Sequence, residues 1–237
     1  MTSRRVLITG ASKGIGRSVA DRLAAAGHQP IGIARTAPTD FPGPFHPVDL
    51  ADRDATAATL DTIVGDRAVD AVVNNFGFAR FAPIGSIDLD HLMEGYDLNV
   101  RTAVQVVQAT LPGMLAGGWG RIVNVTSMTT LGTPERTMYA GAKAALEACT
   151  RIWAGELGTK GITVNAVAPG PTDTELFRRG SPVGSAAEAR YLEGIPVKRI
   201  GTPREIAHAV GLLLDEDAGY ITGQIIRVDG GGSIAAA

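Results

Sequence analysis

The regular alternation of strand-like and helix-like segments is the feature that most constrains the fold of this chain. Seven short runs rich in β-branched residues recur along it, and several are continuously apolar rather than alternating. Continuous apolar runs are typical of parallel strands that are covered on both faces. The seven predicted strands span residues 5–9, 30–34, 45–48, 68–74, 121–126, 162–167 and 224–228.

Longer segments with helical character separate these runs. Helices are predicted over 14–26, over 89–115 with an interruption near Asn99, and over 138–157. Strands that alternate with helices over the whole length predict an α/β fold. We therefore expect one doubly wound domain over residues 1–237, with a seven-stranded parallel sheet.

The stretch 176–196 breaks this rhythm. It has no clear period and contains Gly180, Pro182, Gly184 and Gly194. We interpret it as a mobile insertion.

Composition excludes several other classes of protein. The net charge is −2, whereas a protein that binds nucleic acid mainly by neutralising phosphates should be basic. A single cysteine excludes an internal disulfide framework and a cysteine-rich zinc site. The four histidines are scattered without metal-ligand spacing, so no metal site is predicted.

Hydropathy predicts a cytoplasmic protein with no membrane partner. After Arg5 the first apolar run is too short for a signal peptide, and no later run approaches the ~20 residues of a membrane span.

Glycine is the one unusual count, with 30 in 237 residues, against a usual share of about 7%. Glycine belongs where the backbone turns sharply or approaches another group closely.

Three of these glycines lie between the first strand and the first helix. The turn reads Thr9-Gly10-Ala11-Ser12-Lys13-Gly14-Ile15-Gly16. Glycines there permit a tight turn and close approach of a pyrophosphate, and the helix N-terminus offers unpaired N–H groups. The strand–turn–helix context is the one that a dinucleotide-binding motif requires.

The same turn also matches the nucleophile elbow of hydrolases. Residues 10–14 read G-x-S-x-G, and Asp173 precedes His208 in the order of a catalytic triad. The elbow explains neither Thr9 nor Gly16, and no earlier strand could build its oxyanion loop. The dinucleotide hypothesis is therefore favoured.

Charge near the second strand predicts NADP(H) as the cofactor. NAD binding normally places an acidic residue about 20 residues beyond the glycines, on the ribose 2′-OH. Residues 22–39 contain no Asp or Glu, and the strand end carries Arg35. Lys13 projects from the turn itself. Two cations and no carboxylate favour a 2′-phosphate.

Tyr139 and Lys143 form the predicted chemical centre. Their i, i+4 spacing places them on one helix face, about 6 Å apart. An isolated tyrosine has a pKa of about 10, and a nearby ammonium lowers that pKa by stabilising the phenolate. The pair can therefore act as a general acid–base.

Polar residues and glycines follow four different predicted strands. Gly10, Asn74-Asn75, Ser127 and Pro169-Gly170 each come at the carboxyl end of a strand. Ligands of open α/β sheets bind beyond those ends. We therefore expect Ser127 to lie near Tyr139.

From residue 5 to residue 231 the chain resembles a classical short-chain dehydrogenase/reductase. The combination of motifs is highly specific, although no single motif is. The motifs are Thr9-Gly10-x-x-x-Gly14-x-Gly16, Asp49, Asn74-Asn75-Phe76-Gly77, Asn99, Ser127, Tyr139-x-x-x-Lys143, Pro169-Gly170 and Val228-Asp229-Gly230-Gly231.

The resemblance implies hydride transfer between a nicotinamide and a carbonyl/alcohol pair. It implies that Tyr139 protonates the carbonyl oxygen and that Ser127 holds that oxygen. It implies that Lys143 binds the nicotinamide ribose and lowers the pKa of Tyr139. Asn99 would help to hold a water that relays protons through Lys143.

The resemblance also implies a set of cofactor contacts. Asp49 would meet the adenine amino group with Leu50 beside it, and Asn75 and Gly77 would line the adenosine side. Thr174 would contact the nicotinamide carboxamide or the diphosphate. The full expected set is Gly10, Ser12, Lys13, Gly14, Ile15, Gly16, Arg35, Asp49, Leu50, Asn75, Gly77, Tyr139, Lys143, Pro169, Gly170, Thr172 and Thr174.

Two positions depart from the family pattern. Phe76 stands where the family usually has a small residue, so it either fills space near the cofactor or opens toward the substrate. The spacing from Ser127 to Tyr139 is one residue shorter than the commonest one. Thr126 and Thr129 are therefore alternative hydroxyl partners of the tyrosine.

The predicted substrate is a small-molecule carbonyl or alcohol. Six apolar residues in segments placed beside Ser127 and Tyr139 favour an apolar compound: Phe78, Phe81, Met128, Leu131, Leu176 and Phe177. An acyl thioester on an anionic carrier protein is the alternative. The basic residues of the insertion that could bind this anionic carrier are Arg178, Arg179 and Arg190. Arg121 and Lys160 also stand at positions that are basic in the similar 3-oxoacyl-carrier-protein reductases. Ordinary solvated charge explains the same residues.

Together these features predict an NADPH-dependent carbonyl reductase, formed by one Rossmann-like NAD(P)-binding catalytic domain over residues 1–237 in which the insertion 176–196 is a substrate lid. The resemblance implies a homotetramer. One alternative is a 3-oxoacyl-acyl-carrier-protein reductase. A non-catalytic NADP(H)-binding sensor is the alternative of another class, although a sensor needs no Ser127, Tyr139, Lys143 and Asn99 set.

Overall fold

The computed structural model describes residues 2–235 and contains a seven-stranded parallel sheet. The strand order is β3-β2-β1-β4-β5-β6-β7, so the winding direction reverses between β1 and β4. This confirms the predicted doubly wound fold. The strands are β1 Arg5–Thr9, β2 Gln29–Ala34, β3 Phe45–Pro47, β4 Ala71–Asn74, β5 Gly120–Val125, β6 Ile162–Pro169 and β7 Ile225–Val228.

Helices connect the strands and cover both faces of the sheet. They are α1 Gly14–Ala25, α2 Arg53–Asp66, α3 Leu89–Tyr96, α4 Thr102–Gly117, α5 Thr137–Leu157, α6 Glu175–Gly180, α7 Ala186–Gly194, α8 Pro203–Leu214 and α9 Gly232–Ala235. A π-helical turn, Asp97–Arg101, joins α3 to α4. The predicted interruption near Asn99 is therefore confirmed, and π-turns inside helices are frequent at functional sites.

Alternate residues of the central strands enter two separate apolar clusters. Val6 and Ile8 of β1 pack with α1 and α8, whereas Leu7 between them packs with α2 and α4. Side chains alternate across a strand, so both faces of β1 are buried. This is why the strand reads as a continuous apolar run rather than an alternating one.

Two helices that were not predicted from the sequence begin at side-chain caps. The Asp52 carboxylate accepts the Asp54 and Ala55 N–H groups at the start of α2. α8 begins with a capping box between Thr202 and Glu205. Both caps satisfy N–H groups that a helix terminus leaves unpaired.

The stretch 176–196 contains two short helices, α6 and α7, where the sequence showed no period. Arg178 stabilises this segment, because its guanidinium pairs with Asp173 at 2.7 Å and with Glu188 at 2.5 Å. These contacts cross a loop rather than follow one helix face, so hydropathy periodicity cannot reveal them. Mobility of the segment stays a prediction.

Two features are absent from residues 2–235. Within that range no helix is long and apolar enough to cross a membrane. The same residues form no group of three or more His, Cys, Asp or Glu side chains that could hold a metal ion.

Candidate active site

The glycine-rich turn after β1 depends on backbone conformations that glycine adopts at no steric cost. Gly10 and Gly14 have φ angles of +65° and +58°. At Gly16 the restriction is space, since a Cβ there would lie 2.4 Å from the Gly10 carbonyl oxygen. The three glycines therefore permit a tight turn that leads directly into α1.

Asn75, which follows β4, braces this turn from the neighbouring strand. Its side-chain amide donates to the Thr9 and Gly10 carbonyl oxygens at 3.0 and 3.1 Å. In return, the Thr9 hydroxyl accepts the Asn75 and Phe76 N–H groups, each at 2.9 Å. The switch point of the sheet is thus cross-linked at the ends of β1 and β4.

The turn fits a dinucleotide phosphate. Lys13 is the N-cap residue of α1, and among the described residues no side chain caps this helix or places an acid in its first turn. The first N–H groups of α1 therefore remain available to an anion. Thr174 lies beside the turn, because a Cβ on Gly14 would be 3.4 Å from its Cγ2.

The charged residues predicted to select the cofactor have different surroundings. Lys13 pairs with the Glu175 carboxylate, whereas Arg35 at the end of β2 is exposed. Asp40, the first acid after β2, is held by the Arg17 guanidinium through contacts of 2.7 and 2.9 Å. The acid nearest to Arg35 in sequence is thus already neutralised.

The predicted adenine-side residues differ in exposure. Asp49 is exposed, and its carboxylate accepts the Ala51 N–H at 3.1 Å. The Leu50 side chain is buried and its carbonyl accepts from Arg101 at 2.9 Å. Phe76 packs against the same apolar cluster as Leu50. Phe76 therefore fills space in this cluster, which agrees with the first of the two expectations for this residue.

The other predicted cofactor residues lie on the turn and after β6. Ser12 and Ile15 are partly buried, and Ile15 packs against the cluster below α1. Pro169 ends β6, and a Cβ on Gly170 would lie 2.7 Å from Asp229. The Thr172 hydroxyl donates to the Gly170 carbonyl at 2.9 Å, in the segment that precedes α6.

Tyr139 and Lys143 lie on one face of α5, next to the end of β5. The Lys143 side chain is 1% exposed, and its ammonium is 5.8 Å from the centre of the Tyr139 ring. The ammonium donates to the Val125 carbonyl at 2.9 Å. Ser127, two residues farther along, is close enough to Tyr139 to lower the pKa of its phenol. The fold therefore brings the three predicted side chains together.

Burial dominates the electrostatics of this pair. It raises the pKa of Tyr139 above its usual value near 10, and the interaction with Ser127 offsets part of that rise. Burial also lowers the pKa of Lys143 to about 8. The expectation that Lys143 lowers the pKa of Tyr139 is not met in this structure. The reason is that desolvation disfavours both charged forms, while the ammonium is directed to Val125.

Asn99, in the π-helical turn, lies close to Lys143. Its amide donates to the Phe78 and Gly95 carbonyl oxygens, each at 2.8 Å, and its carbonyl accepts the Phe78 N–H at 3.1 Å. A Cβ on Gly77 would lie 3.4 Å from the Lys143 ammonium and 3.6 Å from the Asn99 oxygen. Gly77 thus leaves the space between these two side chains open.

Gly141, between Tyr139 and Lys143 on α5, has a packing role. A Cβ at this position would lie 2.7 Å from the Tyr96 hydroxyl oxygen. The sequence left open whether the small residues around the Tyr–Lys pair serve packing or an approaching ligand. At Gly141 the neighbour is the phenol of α3.

The predicted substrate side is partly apolar. The rings of Phe81 and Tyr139 are in edge-to-face contact, with centroids 6.4 Å apart. The Arg136 guanidinium lies 3.5 Å above the Phe81 ring. Phe81 is also half exposed, at 52%. An apolar side chain therefore stands next to the phenol at an accessible position.

Three arginines suggested as carrier contacts have other partners. Arg121 is only 3% exposed, stacks on Trp119 and donates to the Asp215 and Glu216 carbonyl oxygens. Burial lowers its pKa. Arg178 pairs with Asp173, and Arg179 pairs with Glu175. The suggested contact between Arg121 and a carrier protein is therefore wrong, because this side chain is buried. Arg190 and Lys160, in contrast, are exposed.

The hydrolase alternative is not supported by the surroundings of its residues. Asp173 pairs with Arg178 at 2.7 Å, and His208 lies exposed on α8. Asp173 is therefore already paired with another side chain, and the position of His208 on α8 does not depend on the turn that contains Ser12.

Of two further site residues, Glu175 was not predicted from the sequence, and Thr129 was predicted only as an alternative hydroxyl partner. Glu175 pairs with Lys13, and Thr129 contacts the Ser127 hydroxyl at 3.0 Å. No sequence signal reports the first contact, which joins residues 162 positions apart. The second could be suspected only from the presence of a hydroxyl two residues after Ser127.

Comparison with known proteins gives a family assignment. A family model described as "Enoyl-(Acyl carrier protein) reductase" matches residues 10–233. A 3-oxoacyl-[acyl-carrier-protein] reductase of Pseudomonas aeruginosa is 36% identical over 240 residues, covering 95% of each chain. That of Mycobacterium avium is 35% identical over 232 residues, covering 97% of this chain and 89% of the relative.

Two solved structures are also similar to this chain along nearly its whole length. A short chain dehydrogenase/reductase family protein is 36% identical with a TM-score of 0.87, covering 98% of this chain and 97% of that one. A gluconate 5-dehydrogenase from Burkholderia cenocepacia, in complex with NADP and tartrate, is 30% identical with a TM-score of 0.92. The match covers 99% of this chain and 96% of the dehydrogenase.

Proposed function

The chain belongs to the short-chain dehydrogenase/reductase family, and from this we propose that it is an NADPH-dependent reductase of carbonyl compounds. The carrying observation is the meeting of Tyr139, Lys143 and Ser127 at the carboxyl edge of the sheet, beside the glycine-rich turn. A site that only binds a dinucleotide has no need of a phenol paired with a buried ammonium.

NADPH supplies the hydride when it is bound. Tyr139 donates its phenolic proton to the carbonyl oxygen, so that the substrate gains a C–H and an O–H bond and becomes an alcohol. Burial raises the pKa of Tyr139, which keeps the phenol protonated near neutral pH. Ser127 donates a hydrogen bond to the same oxygen, where negative charge develops.

Lys143 and Asn99 serve the proton supply and the nicotinamide ribose. The two side chains flank the space at Gly77, where a water could join them. Lys143 would bind the ribose hydroxyls and return a proton to the tyrosinate through its ammonium. A pKa of about 8 allows this group to give up and regain a proton near physiological pH.

The turn at residues 10–16 would hold the diphosphate, and Lys13 with Arg35 would bind the 2′-phosphate. Support comes from the uncapped start of α1, from the exposed Arg35, and from the pairing of Asp40 with Arg17. Asp49, Leu50, Asn75 and Gly77 would line the adenosine. Ser12, Pro169, Gly170, Thr172 and Thr174 would complete the cofactor site.

A 3-oxoacyl-acyl-carrier-protein reductase is the second candidate function. It is favoured by the names of the 35–36% identical relatives, which match along nearly the whole chain. The burial of Arg121 removes one of the basic contacts proposed for the carrier. We therefore give the general carbonyl reductase first and test the thioester beside it.

The decisive experiment follows NADPH absorbance with ketones, aldehydes, quinones and 3-oxoacyl thioesters as substrates. Turnover of carbonyl compounds is expected from the wild type. The Tyr139→Phe variant should lose at least about a hundredfold in kcat, because the proton donor is gone, while binding NADPH with nearly wild-type affinity. A Tyr139→Phe variant with wild-type turnover would disprove the mechanism.

The same panel tests the non-catalytic alternative. A sensor would bind NADPH and oxidise it with none of the carbonyl compounds. Preference for the 3-oxoacyl thioesters over matched free ketones would select the second candidate. A homotetrameric assembly and a cytoplasmic location stay predictions, which size-exclusion chromatography with light scattering and cell fractionation would test.

A further inference from the structure

The Ser127 hydroxyl has a neighbour that the family mechanism does not use. Ser127 follows β5 and caps a short helical turn, Met128–Leu131. Its Oγ accepts the Thr129 N–H at 3.2 Å, and the Thr129 hydroxyl lies 3.0 Å from the same oxygen. Ser127 is 8% exposed, so these contacts are shielded from solvent.

A serine hydroxyl offers one proton and two acceptor lone pairs. Thr129 supplies two donors, its N–H and its O–H, and both are directed at the Ser127 oxygen. When both lone pairs are occupied in this way, the serine proton must point elsewhere. Tyr139, whose pKa is lowered by its interaction with Ser127, is the neighbour that can receive this proton.

We propose that Thr129 is a positioning residue, which fixes the Ser127 hydroxyl as a hydrogen-bond donor. Its single proton is directed to Tyr139 when no substrate is bound and to the substrate oxygen when one is. The inference rests on the proposed function of Ser127 and Tyr139. A hydroxyl that accepts two hydrogen bonds is polarised, which makes it a stronger donor. Thr129 therefore strengthens the contact on which stabilisation of the substrate oxygen depends.

Thr130, the next residue in the same turn, provides a matched control. Its hydroxyl oxygen lies 3.0 Å from both the Ser127 carbonyl oxygen and a Glu147 carboxylate oxygen, which share its single proton. It therefore anchors the turn to α5 but leaves the Ser127 Oγ untouched. Valine is nearly isosteric with threonine, so Thr129→Val and Thr130→Val delete one hydroxyl each with little change in volume.

The experiment compares Thr129→Val, Thr129→Ser and Thr130→Val in steady-state reduction of the best carbonyl substrate. We expect Thr129→Val to lower kcat about tenfold, the effect of roughly one hydrogen bond, with KM and NADPH affinity within about twofold of the wild type. Thr129→Ser should retain most of kcat because it keeps the donor. Thr130→Val should lower the melting temperature but keep kcat within about twofold.

Two further readouts separate positioning from a structural effect. In a Ser127→Ala background, Thr129→Val should cause no additional loss of kcat, because its target is absent. Ser127 lowers the pKa of Tyr139, so weakening that contact should raise it. In alcohol oxidation, which requires the phenolate, the rise of kcat with pH should therefore move to higher pH in Thr129→Val.

Four results would overturn the inference. They are a wild-type kcat in Thr129→Val, an equal loss in Thr130→Val, no recovery in Thr129→Ser, or an undiminished loss in the Ser127→Ala background. Failure of the proposed function looks different. In that case the wild type reduces no carbonyl compound, or Tyr139→Phe retains full activity.

Discussion

Lys13 in the glycine-rich turn forms an ion pair with Glu175 at the start of α6. The contact joins the residue predicted to read a 2′-phosphate to the base of the segment predicted to be a lid. Glu175 also pairs with Arg179 at 2.5 Å, and these two cations lower its pKa to about 2. A 2′-phosphate that binds Lys13 must therefore compete with a fully ionised carboxylate.

Replacing Glu175 with Gln should tighten NADPH binding. Both side chains are exposed, so the expected gain in affinity is modest, about twofold to fivefold. NADH should gain less, because it lacks the 2′-phosphate. Fluorescence titration of both cofactors measures the effect, and 2′,5′-ADP with AMP repeats the comparison without a nicotinamide.

The double variant Lys13→Ala/Glu175→Gln is the control for this prediction. In a Lys13→Ala background the Glu175 substitution should no longer favour NADPH over NADH. If Glu175→Gln tightened both cofactors equally, the carboxylate would act through its general field and not through Lys13.

Arg35→Ala should weaken NADPH binding about tenfold or more and NADH binding much less. Arg35 is exposed at the end of β2, where a guanidinium can form charge-assisted hydrogen bonds with a phosphate. Isothermal titration of the two cofactors tests this. Arg204→Ala, which removes an exposed arginine from α8, is the control for net charge. Equal losses for NADPH and NADH would contradict the cofactor assignment.

The buried Lys143 should make stability depend on pH in a defined window. Its pKa falls from the ordinary lysine value of 10.5 to about 8 in the folded protein. Between these values the unfolded chain binds a proton that the folded chain has lost, so the free energy of unfolding decreases as pH falls and increases as pH rises. The full change is roughly 3 kcal/mol.

Urea denaturation of the wild type and of Lys143→Met across that window measures this contribution. Groups other than Lys143 contribute equally to both proteins, so the difference between the two curves isolates it. We expect the wild type to gain stability relative to the variant between about pH 8 and 10.5. A constant difference over the window would show that Lys143 titrates normally.

Gly141→Ala should destabilise the protein, although alanine favours helices more than glycine does. The added Cβ would lie 2.7 Å from the Tyr96 hydroxyl oxygen but 3.5 Å from Cζ, an ordinary contact distance. Overpacking of this kind costs about 1–3 kcal/mol. In a Tyr96→Phe background the cost should disappear, and thermal melting of the four proteins completes the cycle. A cost that persisted without the hydroxyl would place its origin elsewhere.

Much of the fold could be predicted from local patterns. β1 has its predicted bounds, and the other strands begin or end within a few residues of theirs. The break at Asn99 appears as a π-helical turn. α2 and α8 were not predicted, although their caps at Asp52 and Thr202 are visible in the sequence. Periodicity and turn chemistry act over a few residues, which makes them accessible without a structure.

The sequence by itself determined the α/β class, the glycine-rich turn and the spacing of Tyr139 and Lys143. Only the tertiary structure decided what each charge and hydroxyl contacts. It paired Lys13 with Glu175, buried Arg121 against Trp119, and directed Lys143 to the Val125 carbonyl. These outcomes depend on burial and on contacts between distant segments, which follow from packing of the whole chain. Local propensity and periodicity carry no information about such contacts.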